Sequence, residues 1–316
     1  MSRKPFPRPG FITLAGLGLI VSTAANAQVP ADIAEKIAAI GRVSDPAKTA
    51  PLYAPLQEKE PYAGVKVARD LKYGPHERNV LDLFVPEGAS GARPTLMFVH
   101  GGGFVRGTKR APGSPFYDNV MLWAARNGMI GVNVEYRLAP QFSWPSGGED
   151  LGAAVRWVAD NAASHGGDPN RVFLMGHSAG ATHVAIYVSH PEFHGPKGSG
   201  LAGAMFSSGF YDLTRTEGSE GQKDYFGADR ALYKERSALG GLLKSTIPFM
   251  MNAAELDPPQ MVDQFKLLQD AMCESPRSCA PAVLLPKHSH MSESYAINTA
   301  DTQLTSQMLE FIKNGK

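Results

Sequence analysis

Val172-Phe173-Leu174-Met175-Gly176-His177-Ser178-Ala179-Gly180 is a short apolar run that meets a glycine-flanked serine and then continues, as far as His190, in sequence able to form a helix. The apolar run has the length and continuity of a strand covered on both faces, and the residues after Ser178 predict a helix. A strand feeding a helix through so short a connection must turn sharply, with the serine at the apex and its hydroxyl thrust away from the backbone. Bulky side chains two positions to either side would collide, and Gly176 and Gly180 meet that need. The first N–H groups of the helix lack intrahelical acceptors and carry partial positive charge. Ala179 N–H is therefore a candidate donor to a developing oxyanion.

Upstream, Leu96-Met97-Phe98-Val99 is a second buried-strand run, and it ends on His100-Gly101-Gly102-Gly103. Glycines at the carboxyl end of a strand let the backbone approach a substrate without Cβ obstruction, so the N–H groups of Gly102 and Gly103 are the other candidate donors. The interval between the two motifs fits one passage of helix, strand, helix and strand. Lys66 to Tyr73 and Asn79 to Val85 read as an antiparallel opening pair, and Met129 to Val134 as a further parallel strand. Leu151, Ala154, Val155 and Val158 recur at helical spacing, as do Leu304, Met308, Phe311 and Ile312.

With Tyr136-Arg137-Leu138-Ala139-Pro140 and Glu149-Asp150 between them, these motifs make the chain resemble the α/β-hydrolase superfamily, in particular bacterial carboxylesterases and hormone-sensitive-lipase-like serine esterases. The resemblance covers most of the chain. It implies a mostly parallel eight-stranded sheet with helices on both faces and a small cap, and a nucleophile, acid and base in the order Ser, acid, His. The group usually has Asp before the serine and two glycines after the alanine. Here His177 and then Gly180-Ala181 stand at those places, which shifts the likeness toward smaller bacterial carboxylesterases and arylformamidase-like hydrolases.

The remaining members belong on loops after the last strands. Pro248 to Met251 reads as the penultimate strand, and the loop after it, Ala254-Glu255-Leu256-Asp257-Pro258-Pro259, offers Asp257 as the acid. The same aspartate suits the N-cap of a helix over Gln260 to Met272, and Glu255 and Asp212 compete with it. Ala282 to Pro286 reads as the last strand, followed by Lys287-His288-Ser289-His290-Met291-Ser292. The group's pattern of His, apolar residue and small polar residue favours His290 over His288, which becomes a rim or supporting residue. His100 is expected to brace the glycine loop, His177 fills the variable elbow position, and His183, His190 and His194 lie on or just past a helix. No His-Glu-x-x-His or Cys-x-x-Cys spacing occurs, so no metal site is expected, and the chemistry calls for no diffusible cofactor. Phe104, Trp144 and Tyr211 are candidates for the substrate pocket, with Phe142 and Phe210 beside them.

Residues 1–27 read as a signal peptide: Arg3, Lys4 and Arg8 form a basic head, Phe11 to Val21 an apolar stretch, and Ala25-Asn26-Ala27 a small-x-small cleavage site. Residues 28–316 then form a single α/β-hydrolase domain, with cap contributions from about 28–62 and 210–244. Export to the periplasm or beyond, without stable membrane insertion after cleavage, is the expected fate. Formal charge is +1, and −2 once the three basic residues of the leader are removed, so nucleic acid is not an expected partner. Cys273 and Cys279 are the only cysteines, and in an exported chain so close a pair is expected to form a disulfide worth about 2 kcal/mol. The expected activity is hydrolysis of small-molecule carboxylic esters through an acyl-enzyme. An arylformamidase-like or other amide hydrolase is the alternative, and a noncatalytic binding protein on a hydrolase scaffold the distant one.

Overall fold

The central strands are apolar at both alternating sets of positions, so neither face of the sheet they build can be left in water. The computed structural model describes residues 28–88, 91–274 and 279–314. Its strands are β1 (Val65–Lys72), β2 (Val80–Pro86), β3 (Arg93–Val99), β4 (Ile130–Val134), β5 (Gly167–His177), β6 (Gly203–Ser207), β7 (Phe249–Leu256) and β8 (Ala282–Ser289). They form an eight-stranded sheet in the order β1-β2-β4-β3-β5-β6-β7-β8. The β1–β2 and β2–β4 pairs are antiparallel, and every other pair is parallel.

Helices α1 (Ala31–Ile40) and α2 (Pro46–Tyr53) precede the sheet, α3 (Asp118–Arg126) and α4 (Ser146–Asn161) flank β4, and α5 (Ala179–Ser189) follows β5. The short α6 (Glu220–Phe226), α7 (Tyr233–Arg236) and α8 (Leu239–Leu242) lie between β6 and β7. Helix α9 (Pro259–Glu274) joins β7 to β8, and α10 (Ser292–Tyr295) and α11 (Gln303–Asn314) come after β8. On one face Met97, Val99, Val172 and Leu174 pack with Val155 of α4, Val184 of α5 and Leu268 of α9. On the other, Leu96, Phe98, Phe173 and Met175 pack with Val120 of α3 and Met308 and Phe311 of α11. Alternate residues of one strand thus serve opposite cores.

From β3 the chain crosses to β4 on one side, then returns past β3 to β5 on the other. The carboxyl ends of β3 and β5 therefore flank a topological switch point, where connections leave in opposite directions and a crevice opens. His100 to Gly103 leave β3 there, and Ser178 leaves β5 there.

The last two parallel strands run further than the sequence suggests. Strand β7 extends through Leu256, so Ala254 and Glu255 lie in a strand and not in a loop; Ala254 pairs with Leu285, and Leu256 with Ser289. The same pairing carries β8 to Ser289 and puts His288 within it. Cys273 and Cys279 are bridged, tying the end of α9 to the approach of β8. The leader assigned to 1–27 lies outside the described residues, among which no helix is long and apolar enough to cross a membrane.

Candidate active site

Ser178 holds φ 59° and ψ −124° between β5 and α5. Few non-glycine residues adopt such a backbone, and the surroundings must over-determine it. Part of that hold is the Ser178 N–H, which donates to Ser207 O at 2.8 Å. The flanking glycines supply the rest. A Cβ on Gly176 would stand 2.3 Å from Gly180 O, and one on Gly180 would stand 2.1 Å from Val99 O. The elbow is thus packed against itself and against the end of β3. A Cβ on Gly101 would meet Ser178 Cβ at 2.9 Å, so the glycine loop lies directly beside the serine.

Ser178 Oγ is 2.9 Å from His290 Nε2, and His290 Nδ1 is 2.8 Å from Asp257 Oδ1. The second oxygen of Asp257 accepts from Ser208 Oγ at 2.6 Å and from Ala254 N–H at 2.8 Å, which orients the carboxylate toward the imidazole. With a carboxylate on Nδ1, the ring carries its proton there and leaves Nε2 free to accept from the serine hydroxyl. All three side chains are buried. The carbonyl of Asp257 is also held by Arg42 Nε at 3.1 Å, a tie from the segment after α1.

Gly102, Gly103 and Ala179 line the same cleft as Ser178 and His290, which has a volume of about 600 Å³. Gly102 has φ +130° and its place for a Cβ is taken by Arg106 O at 1.9 Å, so only glycine fits this turn. His100 braces it: Nδ1 lies 2.7 Å from Gly101 O, and Nε2 lies 2.8 Å from Glu135 Oε1. Burial works against the Glu135 charge, yet His100, Arg78 and the Lys109 N–H together hold its carboxyl down at about 2. The Tyr136 hydroxyl donates to His100 O at 2.9 Å. Arg137 grips Asp150 through its N–H and Nε, both at 2.8 Å, so the stretch after β4 is a brace for the loop's surroundings.

The cleft walls come from several remote segments. Ser44 and Pro46 reach it from the region of α2, and Glu217, Gly218, Ser219 and Gln222 from the region of α6. Tyr117, Phe210, Met261, Met291 and Tyr295 give it apolar surface, and Arg106 gives it a cation. Phe104 lines it but is packed against Tyr225, Phe226 and His183, so it contributes as core. Two expected pocket residues are not in the cleft lining. Trp144 packs on His190, Phe193 and Phe226, and Tyr211 is fully buried against Phe206, because both face the hydrophobic core. Phe142 packs on His76 and Arg137 instead.

The competing candidates also have other partners. Asp212 caps a turn through Thr214 N–H, and Glu255 accepts from Lys287 N–H. His288 is no rim residue: it is buried in β8, with Nε2 3.0 Å from Asp301 and Nδ1 3.1 Å from Ser292 Oγ. His183 is buried among aromatic rings, and burial lowers it to about 3, which keeps it neutral.

Three buried polar residues that sequence reading passes over surround the site. Glu293 lies 3.3 Å from His177, Asn252 donates to Glu293, and Ser208 supports Asp257. Glu293 follows His290 by three residues, close to one helical turn, and that spacing is the only hint in the sequence. Among the described residues, His177, His290 and Glu293 have potential ligand atoms within 4.8 Å of one another. Both nitrogens of His290 are already engaged, by Ser178 and by Asp257, so the trio does not present three free ligands.

The family model described as BD-FAE matches residues 81–192, a span that contains both the glycine loop and the serine elbow. Phenmedipham hydrolase of Pseudarthrobacter oxydans is 39% identical over 118 residues, 35% of this chain and 23% of that one. Esterase LipQ of Mycobacterium tuberculosis is 28% identical over 242 residues, 70% of this chain and 56% of LipQ. The chain thus spans about a quarter to about half of the length of these curated relatives. Among solved structures, esterase B from Lactobacillus Rhamnosis aligns with a TM-score of 0.68 at 18% identity, covering 90% of this chain and 95% of that one. A bacterial heroin esterase aligns with a TM-score of 0.64 at 22% identity, covering 89% and 97%. Sheet topology and these structural likenesses give the chain the α/β-hydrolase fold. Its sequence similarities include proteins named as esterases and carboxylesterases.

Proposed function

We propose that the chain is a serine carboxylesterase in which Ser178 is the nucleophile, His290 the general base and acid, and Asp257 the residue that orients the imidazole. The observation that carries this reading is the unbroken hydrogen-bonded series from Ser178 through His290 to Asp257, facing a glycine loop across an open cleft. His290 takes the serine proton as Oγ attacks the ester carbonyl, and returns it to the leaving alcohol. The N–H groups of Gly102, Gly103 and Ala179 receive the oxyanion. General base action contributes about 10²–10⁴-fold and an oxyanion donor on the order of 10²–10³-fold, so the two must act together. Water then attacks the acyl-enzyme by the same proton route in reverse.

The cleft has the size of a small-molecule site, and its apolar residues stand beside Gln222, Gln260, Glu217 and Arg106. That mixture fits short or medium acyl groups on a polar or aryl alcohol better than long lipid chains. The test is hydrolysis of p-nitrophenyl acetate, butyrate, octanoate and laurate beside a matched p-nitroanilide. Rates falling with chain length, with the anilide slowest, are expected; an anilide turned over faster than its ester would replace this reading with an amidase.

Export belongs to the same proposal. The basic head, apolar stretch and cleavage site of 1–27 support it, and so does the disulfide, which suits an oxidising compartment. The segments 28–62 and 210–244 act in it as cap contributions around one domain. The exported protein is expected to begin at Gln28, and N-terminal sequencing showing a retained Met1 would overturn the leader assignment.

A further inference from the structure

Behind the Ser178–His290–Asp257 series lies a second buried carboxyl that the proposed chemistry leaves unused. Glu293 on α10 has no exposed side-chain surface. Its Oε2 accepts from Asn252 Nδ2 at 2.7 Å, and Asn252 is fixed in turn by Ser207 Oγ, which donates to Asn252 Oδ1 at 2.8 Å. Its Oε1 lies 3.3 Å from His177 Nε2 without a well-formed hydrogen bond. That same His177 nitrogen is 2.7 Å from His290 O and, since a carbonyl only accepts, must be the donor. Asn252 O also accepts from the Ser208 N–H at 2.9 Å, and the Ser208 hydroxyl donates to Asp257 Oδ2 at 2.6 Å. Ser208 holds φ 54° just past β6, a left-handed backbone of the kind kept where surroundings impose it.

We propose that Glu293 is a positioning residue for the triad: through Asn252 and Ser208 it aims the Asp257 carboxylate at His290, and it adjoins the His177 ring that holds the His290 backbone. The proposal rests on the esterase reading, because it assigns Glu293 a part in activating Ser178.

Protonation gives the arrangement its direction. Burial and the neighbouring Asp257 carboxylate push the Glu293 carboxyl well above the usual range, against the pull of His290, Ser208 and His288. Burial lowers His177, so the close approach of His177 and Glu293 is a contact between neutral groups and not an ion pair. A neutral Glu293 sets no second negative charge beside Asp257, and the Ser208 hydroxyl commits its hydrogen to Asp257. The groups facing Glu293 are Asp257 after β7, His177 at the end of β5, and His288 and His290 from β8 and its loop, with the buried Tyr211 ring also within its field. Loss of the Glu293 carboxyl frees Asn252 and the Ser208 backbone that Asn252 holds, so Asp257 loses its alignment and Ser178 activation falls.

The experiment compares wild type, Glu293→Gln and Glu293→Ala across pH 6–10 by two readouts. One is kcat and KM on p-nitrophenyl acetate, and the other is the rate at which a fluorophosphonate labels Ser178. Glutamine keeps an acceptor for Asn252 and, like the neutral acid, carries no charge. Glu293→Gln is expected to keep at least about a third of the wild-type kcat across that range. Glu293→Ala is expected to lose on the order of tenfold or more in kcat and in labelling rate at unchanged KM. Wild-type labelling rates in Glu293→Ala, or a tenfold loss of kcat in Glu293→Gln, would overturn the proposal. Labelling of Ser178 in wild type without turnover of any ester would instead count against the esterase reading, since labelling depends on the activated serine alone.

Discussion

Replacing Ser178 by alanine is expected to lower kcat for p-nitrophenyl acetate by on the order of 10⁵–10⁶-fold, down to the residual rate that oxyanion donors and binding sustain without a nucleophile. That corresponds to about 7–8 kcal/mol of transition-state stabilisation. The cleft walls do not depend on the hydroxyl, so substrate binding should survive. The fold should survive too: the Ser178 side chain makes one contact of consequence, to His290 Nε2, while the backbone bond to Ser207 and the packing of Gly176 and Gly180 remain. The variant should therefore melt with wild-type cooperativity, and steady-state kinetics together with a thermal melt check both halves. Ester hydrolysis within tenfold of wild type would remove Ser178 from the chemistry.

The second large effect separates two histidines that stand two residues apart. His290→Ala is expected to cost about as much as Ser178→Ala, since the members of such a unit act together and their losses do not add. His288→Ala is expected to reduce kcat no more than about threefold but to destabilise the fold by about 3 kcal/mol, because it strips buried Asp301 of its nearby imidazole. Parallel measurement of kcat and of denaturant midpoint on both variants distinguishes them. The reverse pattern, with His288→Ala inactive and stable, would mean that His288 and not His290 is the base.

Strand alternation alone would aim residues 288 and 290 to the same side of the sheet. The structure separates them because β8 ends at Ser289: His288 is pinned in the ladder and His290 is freed to swing toward Ser178. Where the strand ends depends on its pairing with β7 through Leu256, which no local signal in the sequence announces. The strand-turn-helix around Ser178, by contrast, was legible from a few residues, since glycine spacing and an apolar run are local facts. The same holds for the glycine loop after β3, and for the two-sided burial of the central strands.

The cleft walls were legible only in part: Phe104 and Phe210 line the cleft. Trp144 and Tyr211 have the right residue type as well, but type does not say whether an aromatic ring faces a cleft or the core. Much of the remaining lining comes from Ser44, Glu217, Gln222 and Met261, contributed by segments that only the fold brings together. Glu293 was illegible for the same reason. Its meaning depends on His177 from β5 and Asn252 from β7 converging on one buried carboxyl, with Ser208 from just past β6 held by Asn252.

Ser178 as a nucleophile activated by His290 is the central claim, and covalent capture tests it most directly. The protein would be treated with a fluorophosphonate, digested and mapped by mass spectrometry. One adduct on the peptide carrying Ser178, formed rapidly by wild type and not by His290→Ala, is the result predicted. Labelling of another residue, no labelling of wild type, or equal labelling of wild type and His290→Ala would contradict it.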